Sequence, residues 1–260
     1  MIVKKEYSLM LVLYFSGTGN TRYLAEAFAR QMQAPCHSIE EPLNFRRLLE
    51  EHNPIAVCYP IYCSGIPRLM RQFAAAHRQQ FLGKQVIIFC TQMLFSGDGA
   101  RAFTDLFPDS WFTPICGEHF FLPGNLCNVL PRWTYGPLLQ RWERRRLWKK
   151  LVRTCDGLLS GHPPLRGFHP LSRRLGQWQR NYLPAAESRA SSGVMVNSDC
   201  TGCGACVRSC PVGNLKKEGD FILPQDSCMF CYRCVNLCPK RAITVAYRKP
   251  VVSQYKGPLP

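Results

Sequence analysis

The sequence predicts an α/β chain: a doubly wound parallel sheet of five strands, followed by a small cysteine-rich α+β domain. Three observations predict it. Apolar strand-like runs alternate with helical patterns five times across residues 8–122. The first strand ends in a glycine-rich turn, S-G-T-G-N-T at residues 16–21, and a helix follows. Eight of the 15 cysteines fall in two matching runs between Cys200 and Cys238.

The elements follow in order. SLMLVLYF (8–15) is short, apolar and stopped by glycine, the pattern of a buried strand. TRYLAEAFARQMQ (21–33) sets Leu24, Ala27, Phe28 and Met32 on one helical face. A short strand is expected at 35–39, a helix at 43–52, and a buried strand at 54–62. Residues 67–81 read as helix, 85–92 as a third strong strand, 99–107 as helix and 113–122 as strand. This alternation places helices on both faces of a parallel sheet. Residues 136–161 supply a final helix, with Trp148, Leu151, Val152, Cys155, Leu158 and Leu159 on one side. Prolines then interrupt, and 172–183 reads as a short helix. The expected division is a nucleotide-binding domain over 1–160, a basic proline-containing connector over 161–193, a cysteine domain over 194–247 and a tail over 248–260.

The turn at 16–21 offers hydroxyls at Ser16, Thr18 and Thr21, an amide at Asn20, and backbone N–H groups around Gly17 and Gly19 at a helix N-terminus. These make a nest for a phosphate. A triphosphate-binding loop needs G-x-x-x-x-G-K-[ST], and the lysine is absent. The dinucleotide fingerprint G-x-G-x-x-G fails because Arg22 stands at its third glycine. A single mononucleotide phosphate is the ligand that remains.

Both cysteine runs, 200–211 and 228–239, read C-x2-C-x2-C-x3-C-P, offset by 28 residues. This is the bacterial two-cluster pattern, in which the fourth cysteine ligates the other cluster. The expected sets are Cys200, Cys203, Cys206 with Cys238, and Cys228, Cys231, Cys234 with Cys210, each holding a [4Fe-4S] cluster. Gly202 and Gly204 ease the first loop, and Pro211 and Pro239 turn the chain after each fourth ligand. Structural zinc sites take cysteines in pairs rather than in triplets with a fourth before proline. Neither cluster is complete without the other repeat, so the metal staples a segment too small for a large apolar core.

Residues 194–247 resemble the dicluster ferredoxins. S-G-T-G-N-T resembles the phosphate loop of flavodoxins, whose element order the first half also resembles. That resemblance implies FMN bound at the C-terminal ends of the strands. It implies phosphate contacts from Ser16, Gly17, Thr18, Gly19, Asn20 and Thr21. Beside the flavin ring it implies Pro60, Ile61, Tyr62, Cys63, Ser64 and Gly65, with Tyr62 as the stacking aromatic. The resemblance also implies that Thr91 and Gln92, which open the loop 91–99, reach the ring edge. The whole chain resembles fused flavodoxin–ferredoxin proteins of anaerobic prokaryotes. FLPGNL (121–126) resembles that family's segment after the last strand, with Leu122 and Leu126 in place of Met and Tyr. The implied activity is electron transfer between two [4Fe-4S] clusters and FMN, by a carrier or an oxidoreductase. The alternative is a ferredoxin module whose flavodoxin-like domain is an empty docking scaffold. No dedicated acid or base is expected, and His119 reads as structural.

The formal net charge is +16, and residues 131–190 carry 13 Lys/Arg against 3 Asp/Glu. Two clusters and a flavin phosphate offset about 6 of these charges. The remaining excess suits an acidic redox partner, a small ferredoxin or flavodoxin. No nucleic-acid module accompanies the basic stretch, and RWERRRLWKKL (141–151) is the one segment suited to shallow membrane contact. Lys4 and Lys5 precede an apolar run, but a glycine loop follows where a signal peptide has its cleavage site. The expectation is a soluble protein of a reducing, cytoplasmic compartment.

Overall fold

The computed structural model describes residues 7–62, 64–93, 96–122, 124, 128, 137–246 and 251–258, with backbone alone for 137–143. Five strands form the first sheet: β1 (Leu11–Tyr14), β2 (Cys36–Ser38), β3 (Ile55–Pro60), β4 (Gln85–Gln92) and β5 (Thr113–Phe121). All pairings are parallel and the spatial order is β2-β1-β3-β4-β5. That is the flavodoxin-like doubly wound order, whose switch point lies between β1 and β3. The strands are near-continuous apolar runs because both faces are covered.

Helices α1 (Asn20–Met32) and α4 (Pro137–Ser160) cover one face. Leu24, Ala27, Phe28 and Met32 are buried there, as the helical spacing predicts. From α4, Leu147, Leu151, Cys155 and Leu158 pack against them. Trp148, expected on that side, is instead 44% exposed. The inward stripe begins one residue earlier, at Leu147, and rotates Trp148 outward. Helices α2 (Phe45–Glu51) and α3 (Arg68–Ala76) cover the other face with an aromatic cluster of Phe73, Phe81, Phe103, Phe107 and Phe112. The helix expected at 99–107 is a 3-10 turn over Arg101–Leu106, and the one expected at 67–81 ends at Ala76 before a 3-10 turn.

The segment 161–193 is more than a connector. It forms two helices, α5 (Pro170–Arg180) and α6 (Leu183–Ser192), of which the hydrophobic pattern reveals only the first. Both lie over the loops that follow β3 and β4. Ser64 donates from its hydroxyl to Gln179 at 2.9 Å, and fully buried Asp98 holds Arg180 in a two-pronged ion pair. Gly97 and Gly176 bring the two backbones together so closely that a Cβ on Gly97 would lie 2.8 Å from the Gly176 nitrogen. Leu183 of α6 fills the space where Gly65 lacks a side chain, and Glu187 pairs with Arg71 at 2.8 Å.

The cysteine domain consists of β6 (Val194–Val196) paired antiparallel with β9 (Ile243–Val245), the hairpin β7 (Leu215–Glu218) and β8 (Phe221–Pro224), and two short helices, α7 (Ala205–Ser209) and α8 (Arg233–Leu237). Its own core is small and contains cysteines among the apolar groups. Met229 and Cys231 belong to the core of the parallel sheet instead. The two halves of the protein therefore share buried surface. Among the described residues no helix is long and apolar enough to cross a membrane.

Candidate functional site

The two cysteine loops are built alike. Each requires left-handed backbone at three equivalent positions: Gly202, Gly204 and Gly213 in the first copy, Phe230, Tyr232 and Arg241 in the second. The paired φ angles are 63 and 67°, 72 and 56°, 61 and 53°. Glycine adopts this region freely, whereas side chains cost about 1 kcal/mol or more. The second copy accepts that cost, and Phe230 and Tyr232 pack against the domain core. Both fourth cysteines accept a backbone N–H from four residues on, Cys210 from Asn214 and Cys238 from Ala242, each at 3.2 Å.

The structure brings together both expected sets. Cys200, Cys203, Cys206 and Cys238 line one small cavity with Gly204, Ile222 and Pro239. Burial holds the Cys234 thiol well above its ordinary range, and neighbouring Cys231, Cys228 and Cys210 add to the effect. Among the described residues no three Cys, His, Asp or Glu converge tightly enough to hold one metal ion. Thiols around a cavity, with backbone amides directed at the Cys210 and Cys238 sulfurs, are the donor set an iron–sulfur cluster uses. Cys203 is exposed, while Cys228, Cys231 and Cys234 are buried. The first set is thus the outer one and the second the inner one.

At the phosphate loop, α1 begins after Gly19, whose φ is 97° and which, as a glycine, contributes no side-chain cap. That leaves the helix end suited to an anion. Ser16 Oγ accepts from the Gly19 N–H at 3.1 Å and shapes the turn. Thr21 is buried and its hydroxyl pairs with that of Thr91 at 2.7 Å, joining the loop to the end of β4. Asn20 Oδ1 accepts from the Tyr255 hydroxyl of the tail. Ser16, Gly17, Thr18 and Gly19 line a cleft of about 780 Å³, which Arg22, Arg233 and Lys256 also reach. The sequence of the loop contains no cation. Tertiary structure delivers Arg233 and Lys256 from more than two hundred residues away, and Glu40 and Glu41 line the same cleft, with Glu40 paired to Arg233.

Pro60 ends β3 and Ile61 donates its N–H to the Thr91 carbonyl at 2.9 Å, so the loops after β3 and β4 begin side by side. Tyr62 and Gly65 exchange two backbone hydrogen bonds across a tight turn with Ser64 at φ 61°. Cys63, between them, lies outside the described residues, as do Leu94 and Phe95 of the third loop and Pro123, Asn125 and Leu126 of FLPGNL. The Tyr62 side chain is half-buried and its hydroxyl meets Gly17: a Cβ there would stand 2.6 Å from that oxygen and 2.5 Å from the carbonyl oxygen of Cys231. Burial pushes the Tyr62 hydroxyl well above its ordinary pKa, with Cys231 nearby. Tyr62 is therefore wedged between the phosphate loop and the inner cysteine loop.

Gln92, at the end of β4, carries a buried amide nitrogen with no hydrogen-bond partner among the described residues, while its oxygen accepts from Ser96. An unmet donor at this position fits an acceptor oxygen of a bound ligand. His119 is buried and neutral. Its Nε2 accepts from the Ala100 N–H at 3.0 Å, and burial, with Arg166 and Lys150 nearby, lowers its pKa to about 3.

Residues 11–114 match a family model for the flavodoxin domain, and residues 193–239 match one for a 4Fe-4S dicluster domain. A ferredoxin of Methanothermococcus thermolithotrophicus is 42% identical over 45 residues, which span 16% of this chain and 75% of that protein. The pyruvate synthase subunit PorD of Methanocaldococcus jannaschii is 36% identical over 76 residues, 28% of this chain and 77% of the subunit. Among solved structures, the general stress protein 14 of Treponema denticola in complex with FMN is 12% identical. The match covers 57% of this chain and 98% of that one, with a TM-score of 0.38.

Proposed function

The chain belongs to the fused flavodoxin–ferredoxin proteins, with one electron-transfer domain at each end, and on that premise we propose that it passes electrons between two [4Fe-4S] clusters and FMN and on to a redox partner or small acceptor. The observation that carries the proposal is the contact at Gly17, where the backbone of Cys231 and the hydroxyl of Tyr62 close on the phosphate loop. A loop built to hold a cluster and a loop built to hold a phosphate lie against each other.

When bound, the clusters exchange single electrons and FMN exchanges one or two. The chain's own residues then have the following parts. Backbone N–H groups of the loop 16–21, with the Thr18 hydroxyl, hold the phosphate, and the uncapped end of α1 favours its charge. Pro60, Ile61, Tyr62, Ser64, Gly65, Thr91 and Gln92, with Cys63 as the remaining residue of that loop, would flank the ring, and the Gln92 nitrogen, without a partner among the described residues, would donate to it. Cys228, Cys231, Cys234 and Cys210 hold the inner cluster beside the phosphate loop. Cys200, Cys203, Cys206 and Cys238 hold the outer one, which reaches solvent at Cys203. The excess of positive charge steers an acidic carrier to the surface.

The test is anaerobic purification with flavin, iron and sulfide quantified on one sample. About one FMN and about eight irons per chain are expected. Eight irons without flavin would leave a ferredoxin module on an empty scaffold.

A further inference from the structure

Helix α5 is amphipathic in the reverse sense. Its inward face, turned to the loops after β3 and β4, is polar or small: Ser172, Gly176, Gln179 and Arg180. Its outward face carries Leu171, Leu175, Trp178 and, just beyond its end, Tyr182, which are 67, 39, 58 and 59% exposed. Their spacing of four, three and four residues makes one stripe. Trp178 and Tyr182 meet edge to face at 5.8 Å between ring centroids. Arg173 and Arg174 are exposed on the same helix, and residues 157–186 contain no Asp or Glu.

We infer that this stripe is the docking face for an acidic one-electron carrier protein. The inference rests on the electron-transfer reading above. Aromatic and aliphatic anchors rimmed by arginine are the composition of interface hot spots. The charge selects an acidic partner, and a second copy of this chain, equally basic, is repelled. The position selects a redox protein over a lipid surface. The inward face of α5 touches Ser64 and Asp98, so a protein on the outward face stands about one helix diameter, ~10 Å, from the proposed flavin loops.

The experiment is calorimetric titration of the full chain with a small acidic two-cluster ferredoxin, oxidised, at low salt. Saturable one-to-one binding is expected, weakened about tenfold or more by Leu171→Ser with Trp178→Ser, and likewise by Arg173→Glu with Arg174→Glu. Arg46→Glu, on α2, is expected to leave it unchanged. Absence of binding, or binding indifferent to the α5 changes, overturns the inference. So does co-sedimentation with phosphatidylglycerol vesicles that the α5 changes abolish, without ferredoxin binding, or self-association that the α5 changes abolish. Flavin and iron are measured on the same preparations. A flavin-free chain that still binds through α5 defeats the functional reading and keeps the docking face. A loaded chain that does not bind defeats the docking face alone.

Discussion

Arg233 donates from Nη2 to the Ser16 carbonyl at 2.8 Å and from Nε to the Gly17 carbonyl at 3.3 Å. The same guanidinium takes both oxygens of Glu40, at 2.9 and 2.8 Å, and the Ser209 carbonyl at 3.2 Å. One side chain from the inner cysteine loop thus clamps the phosphate loop, the end of β2 and the other repeat. Replacing it by alanine is expected to lower stability by about 2 kcal/mol, because it removes charge-assisted bonds to groups that stay partly buried. Arg233→Lys should recover less than half of the loss, lacking the planar fork. Denaturant midpoints of the two variants check this, and flavin retention on a desalting column should fall in the same order.

The two glycines of the outer cysteine loop should differ under substitution. A Cβ on Gly202 would stand 2.7 Å from the Asp220 carbonyl oxygen, which is backbone, whereas one on Gly204 meets only the flexible end of Arg208 at 3.1 Å. Both carry the left-handed cost of about 1 kcal/mol. Gly202→Ala should therefore be the more damaging, by about a further 1–2 kcal/mol. Iron release to a chelator, timed for each variant, should be faster for Gly202→Ala. Equal rates would contradict this account of the loop.

Gln92→Leu separates ligand binding from folding. The change removes a buried donor that has no partner and also the acceptor of the Ser96 hydroxyl. Stability of the flavin-free protein should change by less than about 1 kcal/mol. Affinity for added FMN should fall about tenfold, as expected when a hydrogen bond to the ligand is lost. Fluorescence quenching of FMN on titration measures the second quantity.

Stability should also depend on pH through His119. Its folded pKa, about 3, lies below the ordinary unfolded value of about 6.5. The unfolded chain therefore takes up the proton first. The contribution is whole above about pH 6.5 and is lost as the pH falls toward the folded value. Between about pH 7 and about pH 5 the loss should be about 2 kcal/mol. His119→Gln keeps an acceptor for the Ala100 N–H without the titration, and should flatten that part of the profile in denaturant unfolding.

Much of the site is legible in the sequence because its signals are local. Five apolar runs separated by helical patterns give the sheet, and the observed strands β3, β4 and β5 fall within one or two residues of the expected bounds. The cysteine spacing gives the two expected ligand sets. Helix α6 escapes because its sequence, LPAAESRASS, has no apolar stripe. It is held by scattered contacts: Leu183 on Gly65, Glu187 on Arg71, Ala190 in the core of the cysteine domain and Ser191 on the Cys228 carbonyl. Helix α5 is found by its pattern, which by itself does not say which face Leu171, Leu175 and Trp178 take. The structure sets them outward because buried Asp98 pairs with Arg180 and the close approach of Gly97 requires Gly176 on the inner face.

By itself the sequence determined which chemistry each end of the chain carries, since a phosphate nest and a four-cysteine loop are each made within a dozen neighbouring residues. Only the tertiary structure decided which cysteine loop faces the nest, that Tyr62 is wedged between them, and which arginine closes the contact. Those relations join residues such as Gly17, Tyr62 and Arg233. Hydrophobic periodicity and ligand spacing report on a residue's near neighbours, and they hold no information about a surface built from segments that meet only when the chain folds.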